Sequence, residues 1–369
     1  MKLLFGADLV PTKVTEQLFI DKNFKALFGD IKNIVDDYDR FIVNNEYALT
    51  TEDKKIKKFG PCLKADPRCA DAMKEFGITD AMLANNHVLD FGIKGLRDTV
   101  YHLERVGIGY SGLGENDEDS RKAYYIEEKG VKVAIINVCE HEYSYALPNR
   151  FGTNPYSPFK TMRDIKKAKE NADYVVVIYH GGKEYSRYPS PRLLEHSREM
   201  ILSGADVVLT QHSHCIGCYE EYEGGHILYG QGNFNFVTDS PEEGWYTSLL
   251  VGIEFNGGVK LNFYPIYQTE TGMDVATGDK AQEIMDGFEK RNQELLDGTW
   301  TKGWDEFCQR VGKSYRYCLS PDYVIDFNKL EPGRGDTLSE QVMAHYLDCE
   351  AHEDVIKHLY KSWHLTEDL

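Results

Sequence analysis

No stretch of the 369-residue chain approaches the ~20 consecutive apolar residues that a membrane-crossing helix needs. The opening segment, MKLLFGADLV, carries Asp8 and lacks the apolar core and small-residue cleavage site of a secretory signal. As given, the chain is therefore expected to have no membrane span and to be cytoplasmic. A basic excess is missing too: 42 Lys+Arg stand against 60 Asp+Glu, a net charge of −18. That balance opposes attraction to nucleic acid or an anionic membrane, so no nucleic-acid partner is expected. Cysteine is scarce, with 8 scattered residues, unlike the dense framework of a small secreted domain, and reduced thiols are expected. Internal repeats and low-complexity linkers are absent.

The chain does have the composition of a folded globular protein, at 41% hydrophobic, 12% aromatic and 28% charged residues. Up to about residue 210, short apolar runs (KLLFGAD, DRFIVNNE, AMLANNH, KVAIINV, DYVVVIYH, DVVLTQHSH) alternate with amphipathic segments such as 95–106 and 192–203. Glycines Gly107 and Gly204 stand where helix C-caps fall. This rhythm predicts β-α units and a largely parallel sheet. Beyond Gly204 the segments HILYGQGNFNF, YTSLLVGIEF and VKLNFYPIYQTE read as strands, the last two joined by the hairpin signal Asn256-Gly257-Gly258. The expected class is α/β with mixed sheets. Residues 1–270 are read as the main domain, and 271–369 as a helical C-terminal extension packed on it through apolar positions at helical spacing.

Five apolar strands run straight into metal-capable side chains: Asp8; Glu46; Asn85, Asn86 and His87; His180; and His212 with His214. In open α/β sheets the carboxyl ends of strands share one edge, so these residues can converge on one crevice. Turn-forming polar residues at strand ends would account for any one of them. They do not explain a set of carboxylates and histidines at all five. One Asp, one Glu, an Asn oxygen and three or four His form a nitrogen–oxygen set suited to one or two divalent ions, Mn, Fe, Zn or Mg.

The segments LANNHVLDFGIKGL, HGGKEY, GADVVLTQHSH and YGQGNFNF, with NNEYALT and GAD at 6–8, resemble in order the successive motifs of the CapA family of poly-γ-glutamate capsule biosynthesis proteins, over roughly residues 1–265. The resemblance implies the calcineurin-like metallophosphoesterase superfamily, with two packed mixed sheets flanked by helices. Carried over by motif, it implies Asp8 and His214 on one metal, Asn86, His180 and His212 on a second, and Glu46 bridging. It further implies His87 as general acid, oriented by Asp90. Val10 stands where the superfamily's first motif has a histidine, which removes a ligand and leaves a mononuclear centre open. Relatives in the family typically carry an export or membrane anchor. The activity implied is a metal-dependent, phosphoesterase-like hydrolase, possible partners being a small anionic or polymer substrate and capsule-synthesis proteins. The alternative is a non-enzymatic metal-binding subunit of a polymer synthesis or transport complex.

Around this set, Asn85, Glu140, His141, Glu184 and Asn233 are candidates for substrate contact or for orienting ligands, and Lys183, Arg187 and Arg192 for meeting an anionic substrate. Cys215 and Cys218 form a lone Cys-x-x-Cys without a matching half and are read as packing. The histidines of the C-terminal helices, His345, His352, His358 and His364, are read as structural or as an oligomer contact.

Overall fold

A computed structural model describes residues 1–318 and 338–360, so that His364 lies outside the described residues. Two large mixed sheets form the molecule. In the first, the strand order is Met273–Val275, Val259–Gln268, Thr247–Phe255, Lys2–Leu9, Arg40–Asn45, Asp80–Met82, Gly109–Ser111, and Asn233–Asn235 also pairs with Lys2–Leu9. In the second it is Tyr219–Tyr222, Gly225–Tyr229, Val207–Gln211, Tyr174–His180, Val131–Cys139, Tyr124–Glu128. Each has a parallel centre: Lys2–Leu9 with Arg40–Asn45 and Asp80–Met82 in one, Val131–Cys139 with Tyr174–His180 and Val207–Gln211 in the other. Each parallel centre is followed on one side by an antiparallel strand, Thr247–Phe255 in the first sheet and Tyr124–Glu128 in the second, while Gly109–Ser111 and Gly225–Tyr229 continue the parallel pairing on the other; the hairpin at Gly257 (φ 69°) sets Thr247–Phe255 antiparallel to Val259–Gln268.

The alternation of side chains along these strands sorts residues into layers. Leu3, Phe5, Ile42, Val133, Ile135, Val176, Ile178, Val207 and Leu209 interdigitate between the two sheets. Their neighbours Leu4, Phe41 and Val43 face helices on the outer side of the first sheet. Ala134, Ile136, Val175, Val177 and Val208 do so on the outer side of the second. Both faces of each sheet are thus covered at its parallel centre, which is why those strands read as continuous apolar runs.

The helix Gly92–Val106 begins just before the expected segment and ends at Gly107 in the left-handed region (φ 71°), its amide donating to the carbonyls of Glu104 and Leu103. The helix Pro191–Leu202 starts with Pro at its first position, and the Ser190 hydroxyl accepts from the Leu193 amide. Beyond the last strand, helices Gly278–Leu296, Trp300–Cys318, Leu338–Asp348 and Glu350–Tyr360 follow. Trp304, Phe307, Val342, Tyr346, Val355 and Leu359 join the apolar layer outside the second sheet with Tyr179 and Leu193. Cys62, Cys69, Cys139, Cys215, Cys218, Cys308 and Cys349 are free thiols.

Candidate functional site

The parallel centres of both sheets end at a common edge, and the strand-end residues meet there. Asp8 lies at a register irregularity of its strand. Glu46 directly follows Arg40–Asn45, Asn85–His87 follow Asp80–Met82, His180 closes its strand, and His212 and His214 follow Val207–Gln211. All are buried. One ligand atom from each of Glu46, His180 and His212 lies within 4.8 Å of the others, and the same holds for Asp8, Glu46 and His214. Glu46 belongs to both groups. Nε2 of His180 is 3.0 Å from Oδ1 of Asn86 and 3.5 Å from Oε1 of Glu46. Nδ1 of His214 lies 3.3 Å from Oδ2 of Asp8, and Nδ1 of His180 lies 3.8 Å from Oδ1.

Neither carboxylate oxygen of Glu46 has a hydrogen-bond partner, nor has Nδ1 of His212, although all three are buried. An unpaired buried carboxylate is costly unless a cation or donor meets it. The donor set and these orphaned atoms fit divalent cations. The backbone here is strained as well: His212 and His214 hold φ values of 85° and 54°, a region that β-carbon-bearing residues occupy at a cost of about 1 kcal/mol or more. The strand ends at Gln211, and the turn after it brings both imidazoles to the cluster.

Burial opposes ionisation of Asp8, but the hydrogen bond to His214 and the charge of His180 hold its carboxyl below the usual range. Burial would likewise lower His180 and His214. Glu46 and Asp8 instead raise His180, and the hydrogen bond to Asp8 with the charge of Glu46 raises His214 to about 9. His212 is driven well down by burial and by the neighbouring imidazoles.

A second constellation adjoins the first. Nδ1 of His87 is 2.7 Å from Oδ2 of Asp90, and Nζ of Lys58 donates to Oδ1 of Asp90 at 2.7 Å. The Leu63 amide donates to Oδ2 at 2.7 Å. Burial would raise Asp90, yet His87 and Lys58 hold it below the ordinary carboxylate value. An ionised Asp90 fixes Nδ1–H of His87 and leaves Nε2 as the free end of the ring.

The remaining candidates divide into those that brace the cluster and those that do not reach it. Asn233 Oδ1 lies 2.9 Å from Nδ1 of His214. Asn85 accepts from the amides of His87 and Val88 and donates to Oδ1 of Asn44, which fixes the Asn86–His87 turn. Glu184 Oε1 is 3.9 Å from Nε2 of His214 and Oε2 is 3.5 Å from Nζ of Lys183. Glu140 accepts from Tyr179 at 2.8 Å and from Arg192 at 2.7 Å, and Arg192 in turn binds Asp354. His141 pairs with Glu350 at 2.6 Å. These two residues anchor the C-terminal helices, as does Arg192, whose expected place at an anion-facing rim is taken by this inward ion pair.

Sequence reasoning assigned no role to Asn44 or Lys58, expected Glu142 on the same edge with no role of its own, and read His345 as structural or as an oligomer contact. Nδ2 of Asn44 donates to Asp8 Oδ1 at 2.7 Å and lies 3.1 Å from Nδ1 of His180. Glu142, pushed up to about 7 by burial and by Glu184, lies 3.5 Å from Nε2 of His212 and 3.6 Å from Nε2 of His345. Lys58 sits in the lysine run DKKIKK, where nothing marks it out. Asn44 precedes Glu46 by two and shares its strand-end signal.

Residues 2–238 match the family model described as "Bacterial capsule synthesis protein PGA_cap". The chain belongs to this family. It is 34% identical over 211 residues to the capsule biosynthesis protein CapA of Bacillus anthracis, covering 55% of this chain and 50% of the relative. It is 28% identical over 250 residues to the PGA biosynthesis protein CapA of Bacillus subtilis strain 168, covering 65% and 63%. The chain thus spans between half and two thirds of the length of these relatives. Among solved structures, a 5'-nucleotidase precursor from Thermus thermophilus aligns over 80% of this chain and 59% of its own, at 14% identity and a TM-score of 0.40. The two packed mixed sheets are the architecture that the motif resemblance implied.

Proposed function

We propose that the chain is a metal-dependent hydrolase of the capsule-synthesis family, acting on a phosphoester or a chemically related bond of a small anionic or polymeric substrate. Glu46 carries this reading: its buried carboxylate has no hydrogen bond and lies between two groups of potential ligands. Asp8, Glu46 and His214 would hold one divalent cation, and Glu46, Asn86, His180 and His212 a second. Bound in such a set, divalent cations lower the pKa of coordinated water and offset charge on a phosphoryl or carbonyl oxygen. Asn44 orients Asp8 and His180, and Asn233 orients His214. His87 donates the Nε2 proton to the leaving group, while Asp90, kept ionised by Lys58, fixes its ring.

A non-enzymatic metal-binding subunit of a polymer synthesis complex is the second reading. The observation favouring it is Val10, which is 2% exposed among apolar residues and offers no ligand where the superfamily motif has one. Elemental analysis of protein purified without chelator, run beside a phosphoester panel, separates the two. One or two transition metals with turnover support the hydrolase, metal without turnover supports the subunit, and absence of metal after addition of Mn or Zn overturns both.

A further inference from the structure

Two arginines that share a cavity outside the metal centre have no carboxylate partner among the described residues. Arg187 lies in the loop after Glu184, and Arg291 in the helix Gly278–Leu296, where it is only 8% exposed. Arg121, Arg192 and Arg198, by contrast, sit in ion pairs. Nε of Arg291 donates to the Gly217 carbonyl at 3.1 Å, and its terminal nitrogens have no hydrogen-bond partner among the described residues. Burial and the charge of Arg187 both push the guanidinium of Arg291 down from its ordinary value. A buried charge facing a like charge is the arrangement an anion relieves.

Both arginines line a cavity of about 280 Å³, whose wall includes Gly244 and Lys280. Its acidic members, Glu243 and Glu283, are exposed, so that the deep end is cationic and the rim mixed. The pocket is built rather than incidental. A β-carbon at Gly244 would lie 2.9 Å from the Cys215 β-carbon and 3.2 Å from Nε of Arg187, so glycine is what lets the guanidinium lie there. The lone Cys-x-x-Cys finds its use at the same place. Cys215 Sγ donates to the Ser186 carbonyl at 3.3 Å and Cys218 Sγ to the Arg187 carbonyl at 3.5 Å. Gly217 between them supplies the carbonyl that holds Arg291. The motif therefore fixes both guanidinium groups, one through the loop that bears it and one through its Nε.

We infer that the Arg187–Arg291 cavity is an oxyanion-binding site, separate from the metal centre, that takes the carboxylate or phosphate group of a small anion between two guanidinium forks. Guanidinium presents paired N–H donors matched to either group, and charge-assisted pairs of this kind are the stronger hydrogen bonds. The site shares its loops with the metal centre, since His214 directly precedes Cys215 and Glu184 stands three residues before Arg187.

The test is calorimetric titration of the full chain, stripped of metal by chelator and dialysed, so that its outcome does not depend on the metal-centre reading. Inorganic phosphate and glutarate are titrated separately, and their relative affinities identify which oxyanion the site prefers. Saturable binding of either at one per chain is expected, weakened about tenfold or more in Arg187→Gln and in Arg291→Gln and unchanged in the exposed control Lys13→Gln. Should Arg291→Gln unfold, as judged by circular dichroism, Arg187→Gln decides alone, because its side chain is only half-buried. No saturable heat with either anion up to about 20 mM, or binding unaltered by Arg187→Gln, overturns the inference.

Discussion

Nε2 of His180, at the end of a strand of the second sheet, lies 3.0 Å from Oδ1 of Asn86, which follows a strand of the first. The two residues are 94 positions apart. The candidate centre is therefore assembled across the seam between the sheets, and neither sheet contains it alone. Anything that shifts the sheets relative to one another separates its candidate ligands.

Removal of one candidate ligand tests the centre directly. His180→Ala is expected to lower bound transition metal, measured by elemental mass spectrometry, to less than about half of wild type and to reduce phosphodiester turnover ~100-fold or more. Retention of full metal content and activity would show that His180 is not a ligand.

The proposed general-acid role of His87 carries a leaving-group signature. His87→Ala is expected to keep its metal and to lose roughly 10²- to 10⁴-fold in kcat on a poorly activated alkyl phosphoester, with a much smaller loss on a p-nitrophenyl ester, whose leaving group needs no proton. Asp90→Asn is expected to fall between, at about 10- to 100-fold, because the ring loses its orienting anion while keeping its acid. Equal losses on both esters would contradict proton donation by His87.

The ion pair that ties the C-terminal helices to the second sheet predicts an asymmetry in stability. Arg192→Met leaves Glu140 and Asp354 buried without their cation and is expected to cost about 3–5 kcal/mol in urea unfolding. The double variant Glu140→Gln with Arg192→Met should recover part of that loss. A double variant no more stable than the single one would mean that Asp354, not Glu140, carries the penalty.

The same helices are expected to loosen in mild acid. Burial, with Lys183 nearby, lowers His345 to about 4 and His352 well below its ordinary value. Both are neutral when folded, and their folded values lie beneath the unfolded value of about 6.5. The stability linked to them is thus complete above about pH 6.5 and falls as pH drops below it, since the unfolded chain takes up protons first. Hydrogen exchange across 338–360 should accelerate between about pH 7.5 and about pH 5 after correction for intrinsic rates, and less so in His352→Gln. An unchanged protection profile would contradict this.

The strands, their order of appearance and the strand-end candidate residues were legible in the sequence because each depends on local pattern: apolar runs long enough to be covered on both faces, glycines at helix ends, and polar residues where the runs stop. Asp8, Glu46, Asn86, His180, His212 and His214 announced themselves by the company of those runs. Their convergence followed from a general property of parallel sheets, that carboxyl ends share an edge. Lys58 could not be read this way, and Glu142 only as one of three residues expected on the same edge. Lys58 comes from an irregular segment whose lysines look alike, and only the fold brings one of them against Asp90. Glu140, His141 and Glu142 are consecutive, and which of the three faces the crevice depends on the path of the loop: the first two bind the C-terminal helices and the third faces His212.

What the chain determined by itself is thus the periodic part, the sheets and the residues that end their strands, since alternation and helical spacing act over a few neighbouring residues. What the tertiary structure alone decided is the pairing of groups remote in sequence: Asn44 with His180, Arg192 with Asp354, and Arg187 sharing a cavity with Arg291. Contacts of that kind leave no local trace, because they are set by where packed layers place loop ends in space.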